Sequence, residues 1–177
     1  MIQNLKHLES DSKLDPILVY ELRKAILQMD RIESRKKGQR KLERIANMKH
    51  RVLSPFALAA LASSCYWSGD IFGATYWCKN VILSYPMSTS ALWCSTLLVS
   101  IYRMLGMKKE RFEAEGDRLR IMKKIALQSS SIQDKIFALN ELKSELEMRD
   151  RYNDAQKCQD ELHDLMVEYT NEQLQSV

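Results

Sequence analysis

Residues 54–86 read SPFALAALASSCYWSGDIFGATYWCKNVILSYP, and the interpretation of the whole chain starts from them. Apolar residues recur at helical intervals on both sides of Gly69-Asp70, a pair typical of a turn. Ala62 and Ala74 are small, and small facing residues let two helix backbones pack closely. The stretch therefore predicts a helical hairpin, with one helix over residues 55–68 and the other over residues 71–84.

Upstream of this hairpin, the sequence predicts one more pair of helices. Asp15-Pro16 combines an N-cap residue with proline at the first helical position, and Ser54-Pro55 repeats this signal at the start of the next pair. Apolar residues then follow at helical spacing on both sides of Gly38. We interpret Gly38 as the turn of the first hairpin.

Downstream, two further pairs are predicted. Ser88 is the expected N-cap of the third pair, which turns at Gly106, and the last pair turns around Asp150. The helices are expected over residues 89–104, 107–127, 132–148 and 152–174. No hairpin buries its apolar face alone, so neighbours must stack. We expect an all-α fold, a short α-solenoid of about four antiparallel hairpins, with a globular helical bundle as the alternative.

The composition agrees with one helical domain. Of the 177 residues, 45% are hydrophobic, a share that is ample for a packed core. Only 5 residues are glycine and 3 are proline, which favours helices. We expect a single domain over residues 1–177, with residues 1–14 flexible. No apolar run approaches the roughly 18 residues that span a bilayer, and the N-terminus lacks the apolar part of a secretory signal. No membrane insertion and a cytoplasmic location are expected, with a nuclear one as the alternative.

Residues that bear chemistry are scattered along the chain. They are four cysteines and three histidines: Cys65, Cys78, Cys94, Cys158, His7, His50 and His163. No C-x-x-C pair, glycine-rich phosphate loop or nucleophile motif accompanies them. We therefore expect no metal site, no cofactor and no enzymatic activity.

Residues 55–88 resemble a tetratricopeptide repeat (TPR) over its full 34-residue length. The matching positions are large, small, turn and terminal proline residues: Leu58, Leu61, Ala62, Cys65, Gly69, Asp70, Ala74, Cys78, Val81 and Pro86. A partial resemblance covers residues 136–169, where Lys143 stands in place of a small residue. The resemblance implies a binding scaffold that has no chemistry of its own.

In TPR proteins, one face of each first helix lines a concave groove that holds a partner peptide or helix. Carried over by position, the resemblance implies an apolar and aromatic groove lined by Phe56, Ala59, Ser63, Tyr66, Ser90, Trp93, Leu97, Phe137, Asn140 and Ser144. Exposed aromatic residues of this kind are frequent binding hot spots. For Trp93 and Phe56, packing in the core or against a second copy is an equal alternative.

Residues 31–51 carry nine Lys or Arg residues and two Glu residues. One interpretation is contact with an acidic partner through Arg35, Lys36, Lys37, Arg40, Lys41 and Arg44. The favoured interpretation is that these charges lie on a solvated helix face. Binding to nucleic acid is disfavoured because no aromatic residue is interleaved for base stacking. The net charge is +6 in residues 1–88 and −2 in residues 89–177. Such an asymmetry can orient self-association or a charged partner.

These observations favour a non-catalytic TPR-type interaction module, an adaptor or scaffold subunit that binds a peptide or helix of another protein. A homodimer is compatible with the same surfaces. A small TPR secretion chaperone for an exported protein is the first alternative, although chaperones of that kind are generally acidic. A nucleic-acid-binding helical repeat, motivated by residues 31–51, is the second.

Overall fold

The computed structural model describes residues 14–175, together with their side chains except those of Ile32 and residues 172–175. Every regular element in this part of the chain is helical. A short 3-10 turn at Ile32–Ser34 accompanies eight α-helices: α1 (Pro16–Met29), α2 (Arg35–Asn47), α3 (Leu53–Trp67), α4 (Ile71–Ser84), α5 (Thr89–Met104), α6 (Lys108–Gln128), α7 (Ile132–Glu147) and α8 (Tyr152–Gln175). The expectation of a flexible segment at residues 1–14 lies outside the described residues except at Leu14, which is buried.

Consecutive helices pack as hairpins: α1 with α2, α3 with α4, α5 with α6, and α7 with α8. Short connections join the helices of each pair, which makes them antiparallel neighbours. Successive hairpins also pack through α2 with α3, α4 with α5, and α6 with α7. The predicted all-α array of four helical hairpins is confirmed.

Helix α3 is the centre of the array. It packs against α1, α2, α4 and α5, and nine of the ten residues from Leu53 to Ala62 are buried. A helix that is apolar on all sides has to be covered on all sides. Alanines allow this packing because their small side chains let the neighbouring helices come close to the α3 backbone. Ala62 and, on the facing helix, Ala74 are both completely buried.

Local signals placed most helix ends correctly. Gly69 and Gly106 adopt φ angles of 83° and 70°, and Asp150 adopts 57°, the left-handed conformation that ends a helix. The side chain of Asp15 accepts a hydrogen bond from the Ile17 amide at 2.9 Å, and Ser88 Oγ accepts one from the Ala91 amide at 3.1 Å. The predicted turns at Gly69, Gly106 and Asp150 and these two N-caps are therefore confirmed.

The predicted N-cap at Ser54 is wrong. Helix α3 begins at Leu53, two residues before the predicted start at Pro55, and the buried Ser54 hydroxyl donates to the Ile45 carbonyl at 2.8 Å. His50 takes over at the start of the helix, because its Nδ1 accepts hydrogen bonds from the amides of Val52 and Leu53 at 3.2 and 3.1 Å. Because His50 accepts the hydrogen bonds at the start of α3, the Ser54 hydroxyl can bond to the end of α2 and so join the two helices.

The predicted turn at Gly38 is also wrong. Gly38 lies inside α2 and is buried, and the turn between α1 and α2 falls at residues 30–34. A Cβ atom at this position would be 2.7 Å from the Ala25 carbonyl oxygen and 2.9 Å from the Met29 amide nitrogen. Glycine is therefore needed here because α2 crosses the backbone of α1 too closely for any side chain.

We expect Gly38→Ala to lower the free energy of unfolding by about 1–3 kcal/mol, because the two backbones must move apart. Gly116 provides a matched control inside α6, since a Cβ there would meet no atom within 4 Å. Gly116→Ala should raise the free energy of unfolding by about 0.5–1 kcal/mol. Urea denaturation of both variants measures the two effects, and equal effects would contradict the close crossing.

Charged side chains join the third hairpin to the fourth. Arg118 on α6 pairs with Glu145 on α7 and, at 3.1 Å, with Glu141. Arg149 Nη2 lies 2.8 Å from the other carboxylate oxygen of Glu145, whose residue is only 8% exposed. Helix α7 packs against α6 and α8, so this cluster sits where the last hairpin meets the rest of the described chain.

We expect Glu145→Ala to destabilise the protein by about 2–4 kcal/mol, because it leaves Arg118 half-buried without its main carboxylate. Glu147→Ala is the matched control: its side chain is 46% exposed and lies 3.8 Å from Lys143. An exposed pair of this kind contributes little. Thermal unfolding followed by circular dichroism compares the two, and a Glu145→Ala protein as stable as Glu147→Ala would refute the role of the cluster.

Candidate functional site

The ten residues predicted to line a first-helix groove differ widely in burial. They fall into a buried group (Ala59, Ser90, Leu97), a half-buried group (Phe56, Ser63, Tyr66, Trp93) and an exposed group (Phe137, Asn140, Ser144). The aromatic rings of Phe56, Tyr66 and Trp93 pack against the core. The only large apolar residue of the set in the exposed group is Phe137, which is 46% exposed.

Two of the six basic residues predicted to contact an acidic partner instead bind groups of the same chain. Arg35 Nε donates to the Met29 carbonyl at 3.2 Å, and Lys41 Nζ lies 2.7 Å from a carboxylate oxygen of Glu21. The hydrogen bond from Lys41 lowers the pKa of Glu21. The other four face solvent: Lys36, Lys37, Arg40 and Arg44.

Helix α4 presents an apolar stripe to solvent. Phe72, Tyr76 and Leu83 are 91%, 61% and 79% exposed, and Lys79 lies between them. The spacing of these four residues, i, i+4, i+7 and i+11, places them on one face of the helix. The opposite face carries the fully buried Ala74, Cys78 and Val81. We call Phe72, Tyr76, Lys79 and Leu83 the α4 stripe.

An open cleft of about 260 Å³ runs beside the α4 stripe, between α4 and α6 and above α5. Leu83 belongs to both the stripe and the cleft, so the two form one continuous surface. The apolar lining comes from Ile82, Leu83, Leu98 and Tyr102. The charged lining comes from Glu110, Glu113, Asp117 and Lys79. We call this feature the acidic cleft, because its lining holds three carboxylates and one ammonium group; of the carboxylates, that of Asp117 also pairs with Arg120 at 2.8 Å.

Sequence reasoning did not single out this surface. It assigned the exposed aromatic residues to the first helices of the hairpins, whereas the structure places the most exposed one, Phe72, on a second helix. A signal was present, since α4 carries large apolar residues on both of its faces. One helix face is enough to pack against a neighbouring layer, so the surplus on the other face indicates an exposed stripe.

The cysteines of the described chain are poor nucleophiles. Burial, and then the neighbouring Asp70 carboxylate, raise the pKa of the Cys65 thiol to about 11. A hydrogen bond with Cys78, together with burial, raises the pKa of Cys94, and burial raises that of Cys158. The thiolate is the reactive form, so these thiols are suited to packing. Within residues 14–175, no three His, Cys, Asp or Glu side chains are grouped so that they could hold a metal ion.

We expect the four free thiols to react slowly with a disulfide reagent at pH 8 in the native protein. With a pKa of about 11, roughly 0.1% of Cys65 is thiolate at that pH. Denaturant should release four rapidly reacting thiols, and glutathione at the same pH is the reference. A native thiol that reacts as fast as glutathione would contradict the assignment.

No protein-family model matches this chain, and neither the curated proteins nor the solved structures include one that matches it. No helix in the described residues is long and apolar enough to cross a membrane. We therefore infer the function from the surface of the protein itself.

Proposed function

We propose that this protein is a non-catalytic, TPR-type protein–protein interaction module that acts as an adaptor or scaffold subunit. The observation that carries the proposal is the α4 stripe beside the acidic cleft. Contiguous exposed apolar surface marks interaction sites, and aromatic anchors next to a pocket are typical hot spots. The complete burial of Ala62 and Ala74, the two small positions of the TPR resemblance, agrees with this assignment.

The α4 stripe is a better binding surface than the first-helix groove. A hot spot gains energy from apolar area that is exposed before binding and covered afterwards. Phe72 has almost all of its area available, at 91% exposed, whereas Phe56 and Trp93 already pack against the core. A partner that covers α4 therefore gains more than one that covers the first helices of the second and third hairpins.

The surface also specifies the chemistry of its partner. From Phe72 to Leu83 the stripe is about 16 Å long at 1.5 Å per residue, which matches three turns of a partner helix. Apolar side chains of the partner would cover Phe72, Tyr76 and Leu83. Lys or Arg side chains would complement Glu110 and Glu113 in the cleft, since charge complementarity favours the correct partner and speeds its association.

The test is affinity purification from the cells that make this protein, with quantitative mass spectrometry of the proteins that copurify. We expect the double substitution Phe72→Ser/Tyr76→Ser, the α4 variant, to reduce the specific partner at least about tenfold, because two aromatic anchors of a hot spot are lost. Both side chains are mainly exposed, so the fold should persist, as circular dichroism would verify.

Leu127→Ser is the matched control, because Leu127 is 74% exposed on α6 and does not line the cleft. It should retain the partner. A partner that the α4 variant retains would refute the proposed site. If Trp93→Ala instead loses the partner while remaining folded, the binding surface is the first-helix groove.

A further inference from the structure

Helix α1 carries a second exposed apolar stripe. Ile17, Tyr20 and Leu27 are 71%, 60% and 49% exposed. Lys24 lies on the same face, with its Nζ 5.5 Å from the centroid of the Tyr20 ring. The core-facing side of α1 is a different one, formed by Val19, Leu22, Ala25, Ile26 and Met29. We call Ile17, Tyr20, Lys24 and Leu27 the α1 stripe.

The two stripes match in length and composition. The α1 stripe spans eleven residues, a rise of about 15 Å, against about 16 Å for the α4 stripe. Each has three large apolar residues and one lysine. Neither is covered within one copy of the described chain, as the exposed fractions of their side chains show. Two exposed helix faces of equal length can pack against each other across two molecules.

The charges around the stripes are opposite. The α1 stripe belongs to the first hairpin, on which Arg31, Lys36, Lys37 and Arg40 are exposed. The α4 stripe borders the cleft that holds Glu110, Glu113 and Asp117. The first hairpin, residues 16–47, carries nine basic and four acidic side chains, a net charge of +5. The carboxylates of the cleft attract this hairpin of another copy, and the attraction is local to the cleft, because α6 as a whole carries seven basic and four acidic side chains.

We propose that α1 of one copy packs on the α4 stripe and acidic cleft of a second copy, so that the protein associates with itself head to tail. This inference rests on the proposed function, since it names the occupant of that same surface. The contact joins two different surfaces, so each added copy offers a new site and the assembly grows or closes into a ring. A single helix pair buries less than a standard interface of roughly 1,200–2,000 Å², so the association is weak and concentration-dependent.

Sedimentation measurements of the purified full chain test this inference with two variants. The α4 variant lacks the acceptor surface, and Tyr20→Ser/Leu27→Ser, the α1 variant, lacks the donor surface. From roughly 5 to roughly 200 μM, the wild type should rise above the 20.6 kDa of one chain, whereas each variant should stay at that mass. Leu127→Ser should behave as the wild type.

Mixing the two variants is the decisive measurement. The α4 variant still offers α1, and the α1 variant still offers α4, so the mixture should form a species of twice the 20.6 kDa chain mass and no larger one. Raising the salt from about 50 to about 500 mM should weaken the wild-type association at least threefold, because the opposite charges are screened. An association constant that salt leaves unchanged would overturn the charge pairing on which the inference depends.

Three results would overturn the inference: a wild type that keeps the mass of one chain at every concentration, an α1 variant that associates like the wild type, and a mixture that forms no dimer. The proposed function fails differently. If the wild type does not self-associate but the α4 variant still loses its cellular partner, the occupant is another protein and the α4 stripe remains the binding site. If the α4 variant self-associates like the wild type and also retains its cellular partner, both the inference and the proposed function are overturned.

Discussion

The close packing around α3 is the constraint on which the rest of the structure depends. Four other helices contact this one helix, and nine of its first ten residues are removed from water. A helix of larger side chains would hold its neighbours further away and leave gaps between them. The alanines from Ala57 to Ala62 allow all four neighbouring helices to approach closely. Each of these helices thereby buries its own apolar face. The arrangement of the first three hairpins follows from this contact.

This packing also explains where the exposed apolar surface lies. Aromatic residues on α3 and α5, such as Phe56 and Trp93, rest against the core because the first helices of the three hairpins form one dense layer. Helix α4 packs through its small residues Ala74, Cys78 and Val81, so its large residues Phe72 and Leu83 face solvent. The binding surface that we propose is therefore a consequence of how α3 is covered.

The fourth hairpin shares the apolar core, and it packs on the array through α6. The first three hairpins share a layer in which α3 packs against both α1 and α5, whereas α7 joins the array through α6. At that junction the buried carboxylate of Glu145 holds Arg118 and Arg149. Paired charges favour a specific geometry more than they add net stability. They orient the last hairpin, while apolar burial holds all four hairpins together.

The amino-acid sequence by itself determined the helices and most of their ends. Helical periodicity, the caps at Asp15 and Ser88, and the left-handed turns at Gly69 and Gly106 are local features, and each acts within a few residues of the chain. For this reason the eight helices and the four hairpins of the described chain could be predicted without knowledge of its packing.

Tertiary structure alone decided the roles of Gly38 and Ser54 and the position of the candidate site. Glycine is typical of a turn, but Gly38 lies inside a helix because the backbone of Ala25 passes close to it. The Ser54 hydroxyl donates to the carbonyl of Ile45 instead of capping its own helix. The site depends on the same kind of information. Periodicity establishes which residues share a face of α4, but whether Phe72 is covered or exposed depends on which helices lie against that face, and those neighbours are distant in the sequence.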